Sequence, residues 1–182
     1  MSNFLIQLIG FIGLLFLVLS FQQNNRNKIL ILILIGQIIF LIHFIFLEAW
    51  TAVAMNSVGA IRTLVFQYKG RKNWAGKSFW PITFIMGFIV FGFLAWESWY
   101  SILPIIAMSI ETVGLWMRNP KTIRFINLFP HPPWFTYNLI VGSWPGIVTE
   151  ILIFTSILIG IWRFDMRKSK SRRVEGFKGR RA

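Results

Sequence analysis

Trp80–Trp96 reads WPITFIMGFIVFGFLAW, seventeen residues without a charge, opened and closed by tryptophan. A run that is apolar on every face has no polar stripe to offer water. It suits the ~20-residue length of a helix that crosses a bilayer, with a tryptophan at each interface. Working outward, three similar runs precede it, Phe4–Phe21, Ile29–Leu47 and Thr51–Tyr68. Three follow it, Tyr100–Met117, Thr122–Gly142 and Ile147–Phe164. Together they take up roughly 130 of the 182 residues, which leaves no room for a catalytic or binding domain outside the membrane. Composition agrees: 55% of residues are hydrophobic and 14% charged, against about 25% charged in soluble domains. Mean hydropathy is +0.63.

Lipid cannot hydrogen-bond exposed backbone, so every run is expected to be helical. The fold class that follows is an all-α polytopic membrane protein with seven transmembrane helices over residues 1–164. Phe4–Phe21 has no basic segment before it and ends in Ser20-Phe21-Gln22-Gln23, so it is expected to be a retained helix rather than a signal peptide. Cysteine is absent, which excludes disulfides and thiolate chemistry.

The chain carries 19 Lys+Arg against 6 Asp+Glu, a net charge of +13. Their positions speak for membrane topology rather than nucleic acid. Basic residues follow run 1 (Arg26, Lys28), run 3 (Lys69, Arg71, Lys72, Lys77), run 5 (Arg118, Lys121, Arg124) and run 7; Arg124 and Arg163 fall in the first turn of run 6 and the last turn of run 7, and only Arg62 lies deep within a run. The connections after runs 2, 4 and 6 hold no Lys or Arg but include Glu48 and Glu97. Under the positive-inside rule the N-terminus is outside and the C-terminus cytoplasmic. Residues 165–182 form a basic tail, expected to be disordered and to lie on anionic inner-leaflet lipids. Trp50, Trp96, Trp99 and Trp144 fall at outer ends, and Trp74, Trp80 and Trp116 at or near inner ones.

A shift of 94 residues sets Glu48-Ala49-Trp50 on Gly142-Ser143-Trp144, Phe40 on Trp134, His43 on Tyr137 and Asn56 on Glu150. Runs 1–3 then map onto runs 5–7. Two three-helix units with the same orientation need an odd number of helices between them, so residues 4–68 and 100–164 become parallel repeats and 80–96 the inverting linker. This 3+1+3 plan resembles the SWEET and PQ-loop transporters. Gln22-Gln23 at the end of run 1 matches the position where those proteins often have Pro-Gln. Trp134 and Tyr137 match their Trp-x-x-Tyr, and Asn56 and Glu150 fall on their pocket asparagines. Run 1 lacks the proline, run 5 ends in Arg118-Asn119-Pro120, Phe40 replaces a tryptophan and Glu150 an asparagine, so a sugar substrate does not follow. The chain also resembles the YgjV-type bacterial inner membrane proteins over residues 4–164. That resemblance rests on Asn56-Ser57-Val58-Gly59-Ala60-Ile61-Arg62-Thr63, Leu103-Pro104, and Gly142-Ser143-Trp144-Pro145-Gly146 before Glu150. It implies a bacterial plasma-membrane location and brings no substrate.

Ionisable groups inside the runs cost ~2.5–3.5 kcal/mol each on insertion scales and ask for a reason. Arg62 lies 11 residues after Thr51 and Glu111 lies 11 after Tyr100. On parallel helices both sit ~16 Å below one boundary, deep enough to form an intramembrane ion pair. The alternative is that Arg62 snorkels separately to the inner surface. Glu150 is a turn inside its run, where it either meets interfacial water or joins Asn56 on a pocket wall. Pro130-His131-Pro132-Pro133 interrupts run 6. A broken helix is tolerated at membrane depth only where protein or water covers the freed carbonyls. The candidate substrate pocket is therefore Asn56, Trp134, Tyr137, Asn138 and Glu150. No metal site, cofactor site or catalytic constellation follows from the residues, and enzyme activity is not expected. The function expected is a small-solute transporter that rocks one unit against the other. The alternative is a non-transporting assembly, scaffold or regulatory protein. Substrate and oligomeric state are not legible.

Overall fold

The computed structural model describes residues 3–140 and 144–166. The expectations that fall on Gly142, Ser143 and the tail beyond residue 166, and on the side chain of Trp144, lie outside the described residues. The described chain is helical throughout: α1 Asn3–Phe21, α2 Arg26–Phe46, α3 Trp50–Gln67, α4 Phe79–Leu94, α5 Ile102–Trp116, α6 Pro120–Ile126, α7 His131–Ile140 and α8 Trp144–Gly160. A wider π-helical segment, Ile161–Met166, prolongs α8.

Four segments are long and apolar enough to cross a membrane, Phe4–Phe21, Arg26–Phe46, Trp99–Trp116 and Gly146–Met166. The other three expected runs differ in kind. The helix α3 has the length, 18 residues, but its core-facing side carries Arg62, Thr63 and Gln67. The helix α4 is apolar but 16 residues long. Run 6 is two helices, α6 and α7, parted by Asn127–Pro130.

Local chemistry explains the breaks. The Asn25 side chain accepts from the backbone N–H of Asn27 and Lys28 to start α2, and the Asn119 side chain accepts from that of Lys121 to start α6. Each satisfies donors that a helix N-terminus leaves open. Pro120 occupies the first turn of α6, where its missing N–H is no loss. The same holds for Pro132 and Pro133 in the first turn of α7, while Pro130 disfavours helical backbone at Phe129 and so keeps α6 from running on.

The helix α1 lies along α2, and α2 along α3; α7 packs beside both α5 and α8. Two contacts cross between these groups, α1 with α8 and α3 with α5, while α4 leans on α3 and α5. Ile29, Leu30, Ile33, Met55, Phe66, Phe88, Leu115, Ile123 and Ile157 fill the interior. The rim is also apolar: Phe11, Leu15, Ile38, Phe91, Ile106 and Leu158 point outward. A soluble protein does not show so continuous an apolar exterior. At the α1–α8 crossing a Cβ on Gly160 would lie 2.5 Å from the Phe21 carbonyl oxygen, so only glycine permits this approach.

Candidate functional site

Between the two crossing contacts lies a cavity of about 100 Å³, walled by every long helix except α4. Leu17 and Phe21 come from α1, Gln37, Phe40 and Phe44 from α2, Asn56 from α3, and Glu111 from α5. The broken run supplies Asn127, Pro130, His131, Trp134 and Asn138, and α8 adds Gly146, Thr149, Glu150 and Ile153. Four of the five residues expected to form a pocket, Asn56, Trp134, Asn138 and Glu150, therefore share one wall. Tyr137 is not on it. Its hydroxyl points to Glu97 Oε2 at 3.5 Å and its ring packs on Tyr100. Trp134 and Tyr137, three residues apart on α7, lie on one side of the helix with their rings edge to face at 5.7 Å; Trp134 lines the cavity and Tyr137 sits beside it, toward Tyr100 and Glu97.

The break places the polar groups. Asn127 lies before the break and His131 opens the helix after it, and both line the cavity. Asn138 reaches it because Gly146 is small: a Cβ there would lie 2.4 Å from Asn138 Oδ1. His131 Nδ1 lies 2.6 Å from Glu150 Oε2, and each side chain is 12% exposed. The choice of interfacial water for Glu150 is thus replaced by a partner on the neighbouring helix.

Arg62 Nη2 lies 2.9 Å from Glu111 Oε2; the arginine side chain is fully buried and the glutamate 18% exposed. Nη1 donates to Thr112 Oγ1 at 3.0 Å and to the Met108 carbonyl at 3.3 Å. With the Gln37 amide nitrogen directed to Thr63 Oγ1 (2.8 Å) and the Gly59 carbonyl (3.1 Å), its oxygen accepts from Arg62 Nη2 at 3.2 Å. Phe88 of α4 covers the guanidinium at 5.4 Å. Arg62 does not snorkel, and Glu111 alone of the pair faces the cavity.

Beyond the cavity floor two further arginines cross between helix groups. Arg26 Nε donates to the Met117 carbonyl at 2.8 Å, and Nη2 to those of Phe66 and Leu115 at 3.2 Å each. Arg124 is fully buried; it donates to the Gln23 carbonyl at 3.0 Å and forms a two-point pair with Asp165 at 2.7 and 3.0 Å. Helix C-termini expose carbonyls and partial negative charge, so both guanidinium groups sit where that charge gathers. Lys69 Nζ donates to the Trp116 carbonyl at 2.6 Å. Burial, then the neighbouring Arg26 and Arg118 charges, push its ammonium down to about 8. Asp165, assigned to the tail from sequence, belongs to the helical core. Its signal was present: it is the one acid in the segment that follows Glu150 until Glu175.

An apolar rim around a polar, partly filled centre defines a polytopic integral membrane protein. The chain belongs to the Imp-YgjV family of bacterial inner membrane proteins, whose family model matches residues 4–168. It is accordingly a multi-pass protein of the bacterial inner membrane, in contact with the lipid bilayer. No curated protein and no solved structure matches it.

Proposed function

We propose that the protein is a small-solute transporter working by alternating access between residues 4–68 and 100–164, with 80–96 as the inverting linker, an external N-terminus and a cytoplasmic C-terminus. The observation that carries this reading is a cavity, largely apolar but with Asn56, Glu111, His131, Asn138 and Glu150 on its wall, to which residues 4–68 and 100–164 both contribute. Parallel-repeat transporters place their sites near the midplane, at such an interface.

The contacts support the repeat with the same shift of 94 residues. His43 Nδ1 meets the Ile6 carbonyl at 2.7 Å, and Tyr137 packs on Tyr100, the residues 94 further on. Ser156 Oγ donates to the Val18 carbonyl at 2.6 Å, while Arg62, 94 before Ser156, bonds Thr112, 94 after Val18. Arg26 binds the Met117 carbonyl and Arg124 that of Gln23; the two carbonyls are 94 apart, but the two arginines are 98 apart and are not related by the shift. Both capping asparagines, Asn25 and Asn119, obey the same shift. A pseudo-two-fold relation between the units accounts for the first two pairs and the capping asparagines together.

Arg26 and Arg124 each hold one unit to the helix ends of the other. By the positive-inside rule they lie at the cytoplasmic end, so this state is latched there. Opening toward the cytoplasm breaks these bonds, and a solute in the cavity would be released by that step.

The cysteine-free sequence supplies the test. Asn138→Cys in sealed vesicles of either orientation should react with a membrane-impermeant maleimide from both faces. Arg26→Gln and Arg124→Gln should each increase labelling from the cytoplasmic face. Labelling from one face alone, unchanged by either substitution, would favour a scaffold with a fixed, packed core.

A further inference from the structure

The charges on the cavity wall are carboxylates, Glu111 and Glu150, and among the described residues no Lys or Arg lines it. Glu111 has a permanent counter-ion in Arg62, which is buried behind the wall and tied to Thr112, Met108 and Gln37. Among the described residues Glu150 pairs with His131, whose imidazole is not a permanent cation. His131 Nε2 is buried with no hydrogen-bond partner.

Two proton counts fit the 2.6 Å contact; the extra proton of the first sits on His131 or on Glu150 Oε2, and the pair is neutral overall in both placements. With that proton, Glu150 is neutralised and Nε2 is an N–H with nothing to donate to. Without it, Nδ1–H still donates to Glu150, but the carboxylate charge is uncompensated and the Nε2 lone pair has no donor. An orphaned buried polar atom is costly in either state. The second state lacks a positive charge and an N–H donor together, and one ligand class brings both. The rest of the wall suits it: Asn56, Asn127 and Asn138 bring amides, and Trp134 and Phe40 bring aromatic rings.

We propose that the cavity binds a small organic cation with N–H donors, an ammonium or guanidinium head, against Glu150, in exchange for the proton shared by the His131–Glu150 pair. One cation enters and one proton leaves, so the charge of the site is conserved. This rests on the cavity being the solute site. Of the other elements around the pair, α1 presents Phe21, whose ring edge meets His131, and α2 presents Gln37. The segment between α6 and α7 presents Asn127, and α3 presents Asn56. The helix α5 presents Glu111, already held by Arg62, and Tyr137 of α7 turns away to Glu97. The exchangeable proton on this wall is therefore that of the His131–Glu150 pair.

Guanidinium is a suitable probe because it stays charged at every working pH, so only the protein titrates. Binding of radiolabelled guanidinium to the purified full-length chain should be at least about tenfold tighter at about pH 8.5 than at about pH 5.5, the range over which a histidine exchanges its proton. Tetramethylammonium, which has the charge without the donors, should compete poorly, and glucose not at all. Glu150→Gln should abolish binding, and His131→Gln should retain it without the pH dependence. The pH comparison on the unaltered chain stands even where a variant fails to fold. Guanidinium binding that is absent, or equal at both pH values, overturns the cation assignment. If such a chain still labels from both faces at Asn138→Cys, the transporter reading survives alone; if it does not, both fall.

Discussion

At Arg62 five N–H donors meet two backbone-supported hydroxyl and carbonyl groups, one carboxylate and one amide, and Nε alone is left without a partner. This concentration of bonds makes the residue a junction of α2, α3 and α5 rather than a lone charge. Removing one member of a buried pair strands the other, typically at ~3–5 kcal/mol, whereas replacing both can be nearly neutral. Arg62→Leu and Glu111→Leu should each lower folded yield in detergent, and the double variant should recover much of it. Additive losses would show that the two act independently. The pair was legible in the sequence because it needs only depth, eleven residues from the start of each of two helices with the same direction. His131–Glu150 and Arg124–Asp165 were not. The first depends on how a broken helix re-aims its side chains, which spacing along an ideal helix does not describe. The second hides in a short helix whose basic residue counts, on composition, as part of a loop.

The elements divide into those whose sequence dictates them and those that packing completes. Uniformly apolar runs become α1, α2 and α4 with boundaries close to the expected ones, since nothing along them competes with the helix. The helix α3 is less apolar, and its polar residues are satisfied only once α2 and α5 are beside it. Run 6 was legible as interrupted but not as two helices, because prolines in a first turn start a helix as readily as an internal proline ends one. Close approach was not legible either, since it depends on what faces each glycine. Gly160→Ala must push a Cβ into the Phe21 backbone, and Gly87→Ala meets only Val58 Cγ1 at 3.6 Å. Thermal unfolding in detergent should show Gly160→Ala destabilised by about 1–3 kcal/mol, the range for overpacking. Gly87→Ala should be unchanged or slightly more stable, as Ala is the better helix former.

For the whole molecule, the charge pattern and the repeat make one joint prediction. A reporter fused after Ala182 should be active in the cytoplasm and one fused before Met1 should be external; both on one side would overturn the seven-span count. The two contacts between helix groups differ in chemistry: Arg62 and Glu111 join α3 to α5, and Gln22 and Ser156 join the end of α1 to α8 by neutral bonds at 2.6 and 2.9 Å. That difference gives the chain a timetable. Glu111 is polymerised 49 residues after Arg62, which at ~5–20 residues per second is a wait of about 2–10 s. Through that interval α3 stands in lipid with an unanswered charge, a burden of ~2.5–3.5 kcal/mol on insertion scales. A nascent chain released before α5 emerges would hold that charge permanently and offer a membrane quality-control protease a marker of incompleteness. Arg124 waits in the same way, 41 residues for Asp165, whereas the Val18 carbonyl and Gln22 that Ser156 meets are already made when α8 arrives.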